Sequence, residues 1–295
     1  MSRVPSFAVT STFLGTKRSD NAASYCIAGI SLDIGTTNRS GARDGPQAIR
    51  YASRMLVDGN HPSHRIETSR LAISDVGNFQ IVLGDLEKSY RLIEKQAMDF
   101  KHLIVLGGDH GVSLPLLRAL KSKHGSVGLV HFDAHVDTWP ETSGQAFGHG
   151  SVFYHAIEEG LVDPKRMIQI GIRSPVEPEV YDWTINQGVK ITTAQEIHVS
   201  PIDTIVQSIF SKIGEGPAYL SFDIDALDPA FAPGTGTPEI GGLASWQVQA
   251  IMRQLKGIDF VGMDIVEVAP AYDIAEITSL AAATIVWEYL CLMSI

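Results

Sequence analysis

Cysteine is almost absent from this chain. Its two examples among 295 residues, Cys26 and Cys291, lie at opposite ends. They form neither a disulfide framework nor a zinc-binding pattern, so they read as two buried apolar thiols in a reducing compartment. Charge is sparse too: 19% of residues are charged against 44% hydrophobic, a balance that excludes intrinsic disorder and fibrous classes. Basic residues are the minority, 23 Lys and Arg against 33 Asp and Glu for a net charge of −10. The concentrated basic surface that phosphate backbones require is therefore missing, and no nucleic-acid partner is expected. A cationic ligand suits the balance better. The apolar stretch from Ile274 to Ile295 contains Glu276 and Glu288, so it reads as a buried C-terminal helix and no membrane partner is expected. The first twenty residues lack the apolar run of a secretory signal. They are Ser/Thr-rich and basic with no acid before Asp20, which suits either a plain N-terminal arm over residues 1–22 or a mitochondrial transit segment. A cytoplasmic location is otherwise expected. No linker, repeat or low-complexity tract divides residues 23–295, which read as one domain.

Short apolar, β-branched runs alternate with helix-patterned segments. The runs are Tyr25–Ser31, Leu71–Val76, His102–Leu106, Ser126–Phe132, Met167–Ile172, Val189–Thr192, Ala218–Phe222 and Phe260–Ile265. Several are apolar nearly throughout, as strands covered on both faces must be. Helix spacing appears in Gly45–Met55, Asp85–Met98, Leu114–Ser122, Ser200–Ile213 and Ser245–Leu255. Pro46 stands where a first helical turn accepts proline, and Ser245 is the expected N-cap of its helix. Strand alternating with helix predicts right-handed crossovers and an α/β fold. The expected form is a single three-layer α/β/α domain with a mostly parallel central sheet. Ligands then belong beyond the carboxyl ends of the strands.

The unusual residues are in those places. Gly107-Gly108-Asp109-His110 follows one run, Asp133-Ala134-His135-Val136-Asp137 another, and Asp223-Ile224-Asp225 a third. In extended backbone the alternate residues point to one side, which groups Asp133, His135 and Asp137, and likewise Asp223 with Asp225. Taken singly, each piece is ordinary: a DxD usually forms a turn and a lone histidine is usually structural. The GTG at Gly234–Gly236 neither follows a strand nor opens a helix, so it is no dinucleotide loop. Together the pieces place four carboxylates at one rim with no Lys or Arg inside the motifs, where they would repel each other. Two divalent cations resolve that. Oxygen and imidazole donors favour Mn²⁺, with Fe, Co, Ni or Zn less suited. One ion takes His110 and Asp137 and the other His135 and Asp225, while Asp133 and Asp223 are able to bridge. Such a pair holds a shared water as hydroxide, which makes a hydrolase centre.

GGDH at Gly107–His110, HFDAHVDT at His131–Thr138 and SFDIDALDPAFAPGTGTPEIGGL at Ser221–Leu243 resemble the three signatures of the ureohydrolases, the arginase and agmatinase enzymes with a binuclear manganese centre. The likeness extends through SGARDGPQAIR at Ser40–Arg50 and GMDIVEVAPAYDIAEITSLAAATI at Gly262–Ile285, nearly the whole chain from about Tyr25 onward. The resemblance implies the same six ligands, His110, Asp133, His135, Asp137, Asp223 and Asp225, for two Mn²⁺ per chain, with Ni²⁺ or Co²⁺ as alternatives. It also implies that Glu267 binds the guanidinium and that His149 shuttles a proton or gives one to the leaving amine, with Asp137 accepting one. His155, His131 and His102 have no such support and read as structural.

The implied reaction is hydrolysis of a guanidino C–N bond with release of urea. Where arginase continues its metal motif into an Asn that holds the amino-acid end of the substrate, this chain has Thr138-Trp139-Pro140. Arginine is thereby disfavoured, and the remaining wording is closest to agmatinase, which converts agmatine to putrescine and urea. The Leu32–Gly41 segment is also similar to guanidinobutyrase, and Ser174–Pro178 departs from the agmatinase wording. A hydrolase of 4-guanidinobutyrate, free guanidine or a biguanide stays open at this level. So does an inactive metal-binding partner subunit, although every implied functional position carries a competent residue. A two-metal phosphatase or nuclease would need a phosphate-cradling loop and basic residues that are missing here. A homotrimer or homohexamer is the assembly common in the family.

Overall fold

The computed structural model describes residues 11–16, 23–67 and 72–295. Eight strands form one sheet: β1 Tyr25–Gly29, β2 Ile73–Asn78, β3 Leu103–Leu106, β4 Val127–Phe132, β5 Val162–Ile172, β6 Lys190–Thr193, β7 Ala218–Asp223 and β8 Phe260–Val266. Their order is β2-β1-β3-β8-β7-β4-β5-β6, and every pairing is parallel. All eight expected strands are present, in a sheet that is wholly rather than mostly parallel. Leu71, where one expected run begins, lies outside the described residues. β3, β4, β7 and β8 are buried along their whole length, which is why they read as unbroken apolar runs. β5 begins five residues before the expected Met167, because Val162–Arg166 is half exposed and its polar residues hide it from a search for apolar runs.

Helices cover both faces. On one side lie α1 Gly45–Ala52, α6 Ala194–Val199, α7 Ile202–Ile213, α8 Ser245–Met252 and α9 Ile277–Leu292. On the other lie α2 Leu86–Ala97, α3 Ser113–His124, α4 Val152–Glu158 and α5 Pro178–Gln187. Two hydrophobic layers result, one with Phe132 stacked on Phe222 at 5.0 Å across neighbouring strands. Each fully buried aliphatic or aromatic side chain there contributes roughly 1.5–3 kcal/mol of transfer free energy.

Pro46 does stand in the first turn of α1. The cap of α8 differs from expectation: Ala244 is the N-cap and Ser245 the first helical residue. The Gln247 side chain reaches back and accepts the Ala244 N–H at 2.9 Å, so glutamine three residues on supplies the stop that the serine hydroxyl does not. The segment expected from Ser200 starts at Ile202, after Pro201. α4, α5 and α6 have no counterpart among the expected helices. The C-terminal helix is buried almost all round, as expected, with Glu276 at its N-cap and Glu288 inside. Among the described residues no helix is long and apolar enough to cross a membrane. Cys26 and Cys291 are both buried. Of the expected N-terminal arm, residues 11–16 are described. Phe13 is buried in the core and its N–H donates to Asp75 at 2.8 Å.

Candidate metal centre

Four adjacent central strands, β3, β8, β7 and β4, end at the same rim, and the chain reverses its order of travel across the sheet there. Such a switch point opens a crevice by geometry alone. The β3 turn enters it through Gly107 and Gly108. A Cβ on Gly108 would stand 1.7 Å from the Leu32 carbonyl oxygen, so only glycine lets the two segments pass. His110 follows and opens the short turn before α3.

The expected alternation of Asp133, His135 and Asp137 is only partly what the backbone does. β4 stops at Phe132, and Asp137 is left-handed with φ 51°, so a turn rather than a strand swings its carboxylate inward. Asp223 ends β7, but Ile224–Ala226 is a turn of 3₁₀ helix in which Asp223 accepts the Asp225 N–H at 2.9 Å. Glu267, just past β8, is left-handed with φ 64°. Side chains other than glycine held in that region cost on the order of 1–3 kcal/mol, and two of them sit at one rim.

The side chains converge. His110 Nδ1 lies 3.1 Å from Asp133, 2.9 Å from Asp137 and 3.2 Å from Asp223, each through Oδ2. His135 Nδ1 lies 3.2 Å from Asp133 Oδ1 and 3.1 Å from Asp225 Oδ2. The two oxygens of Asp133 thus face the two different histidines. Groups able to hold a metal ion form around His110, Asp133 and Asp137, with His131, and around Asp133, His135 and Asp225. His131, structural by its sequence context, donates its Nε2–H to Asp133 at 2.8 Å, since its other nitrogen accepts from Gln169.

A cation fits this donor set on electrostatic grounds. Burial, then Asp225 and Asp133 beside it, drive the Asp223 carboxyl well above its ordinary range, and Asp225 is raised for the same kind of reason. Burial works against charge at His110 and His135, yet the surrounding carboxylates win, raising His110 well above its usual value and His135 to about 12. At Asp133 burial is outweighed by the His110 and His131 rings close beside it, which hold it well below the usual range. Protons gather wherever positive charge is missing, and His110 Nδ1 is buried without a hydrogen-bond partner. Hard carboxylate and imidazole donors at two foci match two divalent ions.

His149 and Glu267 adjoin the cluster. Glu267 Oε1 accepts from the His110 backbone at 2.9 Å and meets His149 Nδ1 at 3.0 Å. Glu267 Oε2 is buried and has no partner. Burial opposes charge on His149, but its bond to Glu267 raises it to about 9. His149 Nε2 accepts the Thr37 backbone N–H at 3.2 Å, and Thr37 Oγ1 lies 2.8 Å from the same nitrogen. A cleft of about 320 Å³ opens above, lined by Thr37, Trp139, Glu141, His149, Ser174 and Thr237 among others. The guanidinobutyrase-like segment and the one that departs from the agmatinase wording both contribute to its wall, through Thr37 and through Ser174 and Pro175. His102 and His155 stay outside this cleft, bonded to Tyr289 and to the Ala146 carbonyl respectively.

Three residues that lie inside the quoted motifs but received no role from them also meet here. Asp109 is buried against Gly35 and Gly111 N–H groups, and burial followed by Glu267 raises it to about 7. Ser221 and Asp264 stand behind His110. They lie inside strands, where a single polar residue gives no signal.

The Arginase family model matches residues 23–291. The guanidinobutyrase of Pseudomonas aeruginosa is 42% identical over 92% of this chain and 87% of its own length. An agmatinase of Escherichia coli is 43% identical over 92% of this chain and 88% of its own. The structure of proclavaminate amidinohydrolase from Streptomyces clavuligerus superposes with a TM-score of 0.94 at 36% identity, covering 98% of both chains.

Proposed function

The chain belongs to the arginase family, and from that premise we propose that it is a two-metal hydrolase cleaving the guanidino C–N bond of agmatine to give putrescine and urea. The observation that carries the reading is Glu267: a buried carboxylate with one oxygen tied to His110 and His149 and the other, Oε2, left without a partner beside the cluster. A planar guanidinium offers the N–H donors that oxygen lacks.

His110, Asp133, Asp137 and Asp223 would hold one ion, and His135, Asp133, Asp223 and Asp225 the other, with Mn²⁺ preferred and Ni²⁺ or Co²⁺ as substitutes. Bound there, a pair of divalent ions would lower the pKa of water and supply a hydroxide nucleophile near neutral pH. The chain does the rest. Glu267 fixes the guanidinium carbon over the cluster, Asp137 accepts a proton at the cleft floor, and His149 delivers one to the departing amine. His149 is suited to that role because it lines the cleft with its Nδ1 held at Glu267 Oε1.

The cleft wall favours a cationic tail. Among the described residues it includes Glu141 and no lysine or arginine, and the nearby Arg173 guanidinium is bound to backbone carbonyls, among them Asp225 and Glu239. A carboxylate tail, as in 4-guanidinobutyrate, would meet no counter-charge there. The test is urea release with added Mn²⁺ from agmatine, 4-guanidinobutyrate, arginine and guanidine. Agmatine should give the highest kcat/KM; preference for 4-guanidinobutyrate would overturn the tail assignment, and no urea from any of them would overturn the activity. The reading includes residues 23–295 as the catalytic domain behind an arm at 1–22, a cytoplasmic location and a homotrimer or homohexamer, which light scattering checks.

A further inference from the structure

Behind His110, on the side away from the cluster, lies a chain of buried polar groups in the sheet core. Asp264 on β8 stands opposite Ser221 on β7, and its two oxygens take three hydroxyls: Ser221 at 2.7 Å, Ser113 at 2.6 Å and Tyr219 at 2.9 Å. All four residues are buried, and among the described residues no cation pairs with Asp264. An unpaired carboxylate in the middle of a hydrophobic sheet is costly, and three hydroxyl donors alone are a modest offset.

The hydrogen-bond inventory decides what this arrangement does. A carboxylate that accepts three O–H bonds has no proton of its own to place. Ser221 has one proton, and it goes to Asp264. The Ser221 oxygen can therefore only accept at its remaining contact, His110 Nε2 at 2.8 Å. A neutral ring able to ligate an ion must therefore carry its one proton on Nε2, which leaves the Nδ1 lone pair on the side of Asp133, Asp137 and Asp223. His135 has no comparable support: its Nε2 faces Glu239 at 3.9 Å near the open cleft.

Resting on the two-ion reading above, we propose that Asp264, acting through Ser221, is a positioning residue for the metal centre, holding His110 in the one tautomer that can ligate and strengthening the ion on the His110 side alone. The buried charge that the fold tolerates at Asp264 has its use there. The chain Asp264–Ser221–His110 carries negative potential to the imidazole and makes Nδ1 a better donor, whereas the His135 side depends on its direct carboxylates.

Chelated, full-length protein titrated with Mn²⁺, with free aquo-Mn²⁺ followed by electron paramagnetic resonance, reads this without reference to any substrate. Wild type should bind two ions. Ser221→Ala and Asp264→Asn should each weaken one ion by about 10–100-fold and leave the other within about threefold. Tyr219→Phe removes a hydroxyl from the same carboxylate while sparing Ser221, so it should soften the core to a similar degree yet leave both affinities unchanged. If Asp264→Asn fails to fold, Ser221→Ala, which deletes a single buried oxygen, carries the test. Unchanged affinities in Ser221→Ala, equal weakening of both ions, or weakening in Tyr219→Phe as large as in Ser221→Ala would each overturn the proposal. A wild-type chain that fails to bind two ions would instead overturn the metal reading on which it rests.

Discussion

Two groups of buried carboxylates in this molecule have been given opposite treatment. Asp75 on the edge strand β2 is saturated: it accepts from Arg50 Nε at 2.8 Å and Nη2 at 2.9 Å, and from the Phe13 and Gly77 backbones. Arg50 in turn reaches Asn78 and the Gly77 carbonyl. At the rim of β3, β8, β7 and β4, the carboxylates of Asp133, Asp137, Asp223 and Asp225 have, among the described residues, histidines and backbone N–H groups between them but no lysine or arginine, and Glu267 Oε2 is left without a hydrogen-bond partner. Where the chain provides its own cation, the carboxylate holds structure together. Where it assembles anions and withholds the cation, it has made a place for one from outside.

Substitution should separate the two. The largest effect is expected at the rim. Asp223→Asn should lose bound metal and take urea release to background, by elemental analysis beside steady-state kinetics. In chelated protein the same substitution should raise Tm, because burial and its acidic neighbours hold the Asp223 carboxyl far above its ordinary range. Each kcal/mol of relieved repulsion is worth roughly 2–4 °C in a chain of this size. Next comes the edge: Arg50→Met leaves Asp75 buried and unpaired and should cost about 3–5 kcal/mol in denaturant unfolding, with kcat/KM of the folded fraction unchanged. If Asp223→Asn lowers the Tm of the metal-free chain, the contrast between the two clusters is wrong.

Glu267→Gln should have an intermediate effect. It keeps the shape but removes the charge that a guanidinium needs, so both metals should remain while kcat/KM falls by about 100-fold, the scale of a misplaced reacting carbon. Loss of metal comparable to Asp223→Asn would make Glu267 a ligand instead.

Whether a residue's part in this can be read from sequence depends on where it lies. The eight strands are legible because parallel strands covered on both faces are apolar throughout, as β3 with Leu103, Ile104, Val105 and Leu106 illustrates. α4 and α6, of 7 and 6 residues, hold too few turns for a periodic signal, and α5 buries only Thr184 and so shows no apolar stripe. Two leave other traces: Pro178 in the first turn of α5, and the reciprocal Thr193–Glu196 cap of α6. The carboxylates and histidines of the rim stand out because they break apolar runs at strand ends. Glu267 breaks one as well, but nothing in its spacing says what it binds, and its role comes from resemblance. Ser221 and Asp264 are hidden because one polar residue inside a strand looks like filler until its partners across the sheet are known.

The smallest predicted effect sets two histidines against each other. His135 sits between two carboxylates, which overcome its burial and raise it to about 12. His102, at the amino end of β3, has Tyr289 Oη at 2.7 Å and the Tyr25 ring at 4.8 Å but no carboxylate, and burial followed by His124 lowers it to about 4. Above pH 6.5 the ring is neutral in both the folded and unfolded chain, and its burial carries no proton penalty. As pH falls from about 6.5 toward 4, the unfolded chain takes up a proton that the folded chain refuses, so stability is lost across that window. At pH 5 the loss approaches about 2 kcal/mol, from about 1.36 kcal/mol for each unit below 6.5. His102→Gln, which retains a polar side chain without a titrating ring, should remove that increment. The difference in unfolding free energy between wild type and His102→Gln, measured in urea at about pH 7.5 and about pH 5, should therefore shift by about 2 kcal/mol in favour of the variant at the lower pH. An unchanged difference would mean that His102 accepts its proton in the folded chain, and that burial without a carboxylate is not enough to keep a histidine neutral here.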